Sequence, residues 1–320
     1  MAAIEINPIL VKELRSRMRG SRAFVLMTFY LLVLGAVTLL LYAALSSSAG
    51  TDINAGRQIG KSLFIVIAGV ALVEVCFITP ALTSGAIAGE RERQTYDLLV
   101  TSLLSPWQIL WGKLASALAF AMLLILSVVP VMSLAFLFGG VSLAEVLIAL
   151  IGLIATAITY ATLGLFWSTI MRGSLGATAF SIGSVVVILL GVPFLMVIFL
   201  IIFSRGDTSD LFESPFFIYI SRIVFGLHPF IALGITENLL SSGSSPFVEV
   251  VPTSSVGRSI TLPSPWIMYV IISLILSGVM LLFAVRSLQP TQPEVATKPD
   301  AAKPAKSKSP AAPPAEDPPA

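Results

Sequence analysis

Two glutamates and two arginines alternate at Glu90, Arg91, Glu92 and Arg93, inside the stretch GERERQTYDLLVTSLLSPWQILWGK that runs from Gly89 to Lys113. Side chains of these types at this spacing can pair charges and dock against another surface. Tyr96, Leu99, Val100 and Leu103 recur at i, i+3, i+4 and i+7, which predicts an amphipathic helix over Glu90–Leu104. Glu90 with Arg93, and Arg93 with Asp97, are expected to pair on its wet face. An apolar stripe flanked by charges suits a groove on another protein. A charged connector lying on a membrane is the plainer alternative.

Other chemistry-bearing residues are sparse. With one histidine, no multi-histidine metal centre can form, and no H-E-x-x-H or G-x-S-x-G motif occurs. His228, preceding Pro229, reads as a satisfied loop histidine. Cys76 is the single cysteine and excludes an intrachain disulfide. No G-x-x-x-x-G-K-[ST] phosphate loop is present, so nucleotide hydrolysis and catalysis within this chain are not expected, and no metal or cofactor is assigned to it. Glu74 is the one ionisable side chain near the centre of an apolar run. A charge there costs about 2.5–3.5 kcal/mol to insert, so Glu74 should face the bundle interior, a partner or a cavity. It reads equally as a pathway or gating group and as a packing hydrogen bond, with Thr79, Thr83 and Ser84 as polar neighbours.

The elements around these residues are set by composition. The chain is 56% hydrophobic and 11% charged over 320 residues, and six apolar runs approach or exceed the roughly 20 residues needed to cross a bilayer. They are Ala23–Leu45, Ser62–Gly85, Pro106–Phe138, Leu143–Thr169, Leu175–Phe203 and Pro265–Val285. Their continuity favours helices over an alternating barrel. The expected fold is an all-α membrane protein of six spans, and the first span is too long for a cleaved signal.

Basic residues orient the bundle. Before the tail, ten lysines and arginines fall on one side, from Lys12 to Arg286, against Arg57, Lys61, Arg205, Arg222 and Arg258 on the other. The positive-inside rule then places both termini in the cytoplasm. A net charge of +2 reflects this topology and offers no support for nucleic-acid binding.

Residues 1–22 read as a cytoplasmic interfacial helix, with Asn7 as cap, Pro8 in the first turn and Ile6 stapled to Val11. Leu10, Val11, Leu14 and Met18 form its apolar sector, flanked by Lys12, Arg15, Arg17, Arg19 and Arg22, while Glu13 and Ser16 point away. Residues 23–288 form the membrane domain, with the charged segment at 89–105. Capping boxes are expected at Ser105–Gln108 and Ser142–Glu145, which gives Glu145 a structural role. Pro130 and Pro193 predict kinks. Gly152, Ala155, Thr159 and Gly164 in the fourth span, and Gly176, Gly183 and Gly191 in the fifth, suit close helix packing. Residues 204–264 form the largest extracytoplasmic segment. Its apolar middle, broken by Arg222 and His228–Pro229, predicts two short re-entrant or interfacial helices, and Ser241–Val256 reads as a loop. Residues 289–320 are rich in Pro, Ala and Lys and are expected to be a disordered cytoplasmic tail.

The two halves of the charged stretch, E-R-E-R-Q-T-Y-D-L-L and S-P-W-Q-I-L-W-G-K, resemble membrane subunits of the ABC-2 type exporter permease family. Members typically read Glu-x-Glu-x-Gly-Thr-x-Glu-x-Leu-Leu, then Ser/Pro-x-x-x-Ile-x-x-x-Lys. Glu90, Glu92, Thr95, Asp97, Leu98, Leu99, Ile109 and Lys113 occupy the matching positions. Gln94 replaces the usual glycine and Asp97 the last glutamate of the first motif, changes expected to tighten the helix. The opening NPILVKELRSRMRGSRAF is similar to bacterial members.

The resemblance implies a permease in the bacterial cytoplasmic (inner) membrane that pairs with a second six-helix half. Separate ATP-binding subunits would carry ATP and Mg. Glu90, Arg91, Glu92, Arg93, Thr95, Tyr96, Asp97, Leu98, Leu99 and Leu103 would form the coupling helix that meets them. The alternatives are a stand-alone ion- or proton-coupled transporter or channel, and a membrane anchor subunit. Neither cargo nor the choice between homodimer and heterodimer is legible in the sequence.

Overall fold

The computed structural model describes residues 8–18, 21–48, 55–96, 104–203, 214–252 and 259–288. The expected cap at Asn7, the Ile6 staple, the residues Asp97, Leu98, Leu99 and Leu103, and the 289–320 tail lie outside them. So do the side chains of Arg17, Arg19 and Arg22. In chain order the helices are α1 (Pro8–Met18), α2 (Ser21–Ser48), α3 (Ala55–Ser84), α4 (Ala88–Glu92), α5 (Pro106–Leu137) and α6 (Leu143–Ile170). They continue as α7 (Ser174–Val186), α8 (Val192–Phe203), α9 (Pro215–Phe225), α10 (Pro229–Ser241) and α11 (Pro265–Leu288). A π-helical turn, Val187–Gly191, joins α7 to α8.

Among the described residues, six stretches are long and apolar enough to cross a membrane. They follow the six runs expected from hydropathy. Because lipid accepts apolar side chains on any face, each helix buries only the stripe that meets another helix. In α2 that stripe is Tyr30, Leu34 and Thr38, one turn apart, while Phe24, Phe29, Leu32, Leu39 and Leu40 stay exposed. α6 lies at the centre, with 61% of its most apolar window buried against 6% for Ser174–Phe199.

Two close approaches hold the centre together. A Cβ on Gly164 of α6 would lie 2.2 Å from Thr83 Oγ1 and 2.5 Å from the Pro80 carbonyl of α3. The Thr83 hydroxyl donates to the Ala161 carbonyl at 2.8 Å, a bond only such proximity permits. At Gly60, a Cβ would sit 2.3 Å from the Gly139 carbonyl just past α5. Hydroxyls join α6 to α11: Thr156 Oγ1 and Tyr269 Oη are 2.6 Å apart, and Ser277 donates to Thr159 at 3.2 Å. The packing role expected of Gly152 holds against Leu233, whereas Gly176 and Gly183 meet nothing within 4 Å and Gly191 only Val187 of its own turn. Among the described residues, the α7 glycines therefore mark no close helix approach.

α5 runs through Pro130 without interruption. Pro193 does disturb its helix: it has no N–H for the Leu189 carbonyl, and the π-helical turn immediately precedes it. His228 faces that carbonyl, its Nε2 lying 3.1 Å from it, while its Nδ1 accepts from the Ile231 amide at the start of α10. These two bonds assign the Nε2–H tautomer and explain the histidine structurally. His228→Ala would orphan both groups and should cost about 1–3 kcal/mol, read as a lowered midpoint of thermal unfolding in detergent.

α9 and α10 are bent by 116° at their break, matching the expected pair of short helices. The loop expected over Ser241–Val256 is partly strand: Val248–Pro252 (β1) pairs antiparallel with Ser259–Pro263 (β2), Val250 opposite Thr261. Trp266 Nε1 donates to the Pro246 carbonyl at 2.7 Å and fixes this hairpin to α11.

Candidate functional site

At the end of the bundle that carries α1, the charged break closes several helices together. α4 begins after a turn at Gly85–Ile87, and two of its leading amides, Ile87 and Ala88, donate to Ser168 Oγ of α6 at 2.8 and 3.0 Å. A side chain from another helix thus supplies the cap that α4 lacks locally. Arg91 returns the service at the far end of α6, donating from Nη1 to the Thr169 and Met171 carbonyls at 2.8 and 3.2 Å. Glu92 accepts from the Ser174 amide at 3.3 Å and from its hydroxyl, at the first turn of α7. A cation therefore sits on a helix C-terminus and an anion on a helix N-terminus, each matching the macrodipole. The Ser174 bonds hold the Glu92 carboxyl below its ordinary range.

Lys113 is the centre of this arrangement. It arrives on α5, whose first turn is fixed by the expected capping box: Gln108 N donates to Ser105 Oγ at 3.3 Å, and Ser105 N to Gln108 Oε1 at 2.9 Å. Its side chain is 4% exposed, and its Nζ lies 3.1 Å from Glu13 Oε1 of α1 and 3.2 Å from Glu90 Oε1 of α4. The other Glu90 oxygen accepts from the Thr95 hydroxyl. Burial opposes the charge on Glu90, but the Thr95 and Lys113 bonds outweigh it and keep the carboxyl below its usual value. Beneath lies an apolar cluster of Ile87, Ile109, Leu110, Leu114, Leu165 and Leu288, against which Ile9 and Tyr96 pack.

Three expectations change here. Glu13 does not point away; it is the α1 half of the Lys113 pair. The continuous Glu90–Leu104 helix does not form: α4 ends at Glu92, and Gln94 turns back at φ 59°. Gln94 therefore breaks the helix it was expected to tighten. Tyr96 is half-buried against this chain's own cluster, with the Arg91 guanidinium 4.9 Å above its ring. Glu92 and Arg93 are exposed on this segment, and Lys12 and Arg15 on α1.

Glu74 sits half-buried on α3, and among the described residues both its carboxyl oxygens are shielded and without a hydrogen-bond partner. The Tyr30 hydroxyl on α2 is in the same condition and within its electrostatic reach. The neighbours expected for Glu74 are engaged elsewhere: Thr79 donates to the Val75 carbonyl, Thr83 to Ala161, and Ser84 meets Thr178 at 2.9 Å.

A second ionic cluster at the opposite end was not anticipated. Lys61 of α3 meets Glu145 Oε2 at 3.1 Å and also pairs with Glu237 of α10. Glu145 keeps its expected capping box with Ser142. The cluster borders a cavity of about 240 Å³ walled by Phe64, Leu72, Phe230 and Leu233. Lys61 lies 84 positions from Glu145, and no local pattern announces such a pairing. No protein-family model matches this chain, and no curated protein matches it by sequence.

Proposed function

We propose that this chain is the permease subunit of an ATP-binding-cassette exporter, forming half of a translocation pathway and coupling to separate ATPase subunits. The observation that carries the reading is the Lys113–Glu90–Glu13 cluster. Two residues at motif positions of the resembled family, 23 apart in sequence, meet in one buried ion pair and bind α1 to the segment after α3. The left-handed conformation of Gln94 adds support, because it occupies the position where the family reads glycine and where glycine is the least strained residue.

In this reading α1 is an interfacial helix, the 89–105 segment couples to the ATPase, and the bent α9–α10 pair is re-entrant from the extracytoplasmic side. The termini are cytoplasmic, in a bacterial inner membrane. ATP and Mg belong to the partner, and a second permease half completes the pathway. A push on Glu92 or Arg93 would reach α6 and α7 through the Arg91 and Glu92 bonds, so closure of the ATPases can bias two arrangements of the spans.

Tyr96 supports the chain's own packing, so exposed Arg93 is the cleaner probe. Purified from its native membrane, the chain should co-purify with an ATP-binding protein, and Arg93→Glu should weaken the association about tenfold or more while leaving thermal unfolding unchanged. Association indifferent to Arg93→Glu and to a proline at Leu98 would remove the coupling assignment.

A second reading, ion- or proton-coupled transport by this chain alone, is favoured by Glu74, whose carboxyl is shielded and, among the described residues, unpartnered, as suits a group on an ion pathway. Substrate-driven uptake by the purified chain in vesicles without ATP would select it.

A further inference from the structure

The cavity of about 240 Å³ at the end opposite α1 lies among α3, α6 and α10. Two helices line it at the i, i+4, i+7 spacing of a single face: Ile65, Gly69 and Leu72 on α3, and Phe230, Gly234 and Glu237 on α10. Each stripe has glycine in its middle, and a Cβ at Gly69 or Gly234 would meet nothing within 4 Å. The missing side chains leave the room. An apolar cavity of roughly 150 Å³ already takes benzene, so this one holds a single ring with a short substituent. Ile65 is 50% exposed, so the cavity opens to the surroundings.

Its charge is one-sided. Glu145 of α6 and Glu237 line the cavity, whereas Lys61, the cation they share, does not. One ammonium between two carboxylates leaves the cluster one negative charge in excess. Arg57, one turn before Lys61, is exposed and makes no ion pair among the described residues. The Glu237 side chain keeps 17% of its surface exposed, and among the described residues its second oxygen, Oε2, has no partner. A partly buried charge in excess is costly, and a cation in the cavity offsets it. A bare metal ion calls for about six oxygen ligands, which these apolar walls do not offer. They suit the hydrocarbon body of an organic cation.

We infer that the α3–α6–α10 cavity binds a small organic cation, a primary ammonium carrying one ring or an alkyl group of similar size. The ring lies against Leu72 and Phe230, and the ammonium donates to Glu237 Oε2 beside Glu145. Lys61 stays in place and holds the two carboxylates together. The bound cation then ties α10 to α3 and α6. This assignment does not depend on the transport reading, and its test needs no ATPase.

The test is equilibrium binding of tritiated 2-phenylethylamine to the full chain purified in detergent, with unlabelled competitors. Binding should be saturable. The alcohol 2-phenylethanol, of the same size without the charge, should compete about tenfold or more weakly, and the anion 3-phenylpropionate should not compete. Neither sodium at constant ionic strength nor phosphatidylethanolamine, which carries its ammonium on a lipid headgroup, should displace the amine. Glu237→Gln should bring the amine down to the affinity of the alcohol and leave the alcohol unchanged. Gly69→Leu and Gly234→Leu, changes into open space, should each fill the cavity and abolish binding without lowering the melting midpoint. Absence of saturable binding, equal competition by the alcohol, displacement by sodium or phosphatidylethanolamine, or undiminished binding to either normally melting leucine variant would overturn the assignment.

Discussion

Lys113→Met should destabilise the protein by about 2–4 kcal/mol and free α1 from the bundle, although the substitution preserves length and apolar packing. Lys113 is nearly fully buried and is the cation between Glu13 and Glu90, so its loss leaves two carboxylates facing each other. Orphaning a fully buried ion costs about 3–5 kcal/mol. The lower range applies because Glu13 and Glu90 remain 22% and 28% exposed and gain hydration. Thermal unfolding in detergent reads the first effect, and faster tryptic cleavage after Lys12 and Arg15 reads the second. Adding Glu13→Gln and Glu90→Gln should restore most of the loss, because two neutral amides tolerate the gap. If the triple variant melts no higher than Lys113→Met alone, packing rather than charge is what Lys113 supplies.

The second large effect concerns the α3–α6 contact. Gly164→Ala should cost about 3 kcal/mol, at the upper end of overpacking penalties, because the new methyl collides with the Pro80 backbone as well as with the Thr83 hydroxyl, and backbone cannot rotate aside. The Pro80 oxygen would lie 2.5 Å away, and separating the helices to relieve the clash breaks the Thr83–Ala161 bond. Gly183→Ala is the control. Nothing lies within 4 Å of its added Cβ, and alanine is the better helix former, so its midpoint should hold or rise. Equal melting of the two variants would show that α3 and α6 are not in backbone contact.

The contrast between these glycines shows how far sequence carries. Apolar length is a property of each segment alone, so the six spans were legible, as were the Ser105 and Ser142 capping boxes, whose partners lie three residues away. Small residues announce that a helix can be approached closely and do not say by what; Gly164 meets α3, while among the described residues nothing comes within 4 Å of a Cβ placed at Gly176 or Gly183. Helical spacing across Glu90–Leu104 suggested continuity, but Gln94 is placed by the Thr95–Glu90 bonds, which close a turn there. Glu13 was misplaced for a similar reason. The α1 periodicity ranks it on the polar face, and a lysine 100 positions later decides which way it points. The β1–β2 hairpin was hidden among Ser, Pro and Gly, although V-E-V-V and S-I-T-L carry the strand pattern.

The proposed contact between the charged turn after α4 and an ATP-hydrolysing partner can be captured directly. Its most direct test places a photo-crosslinking amino acid at exposed Arg93 in living cells, with a second at Ile65, half-exposed on an apolar face of α3, as control. A crosslinked ATP-binding protein is expected from position 93 and none from position 65. Crosslinks from position 93 that contain only lipid or this chain itself, in the native host, would contradict that contact.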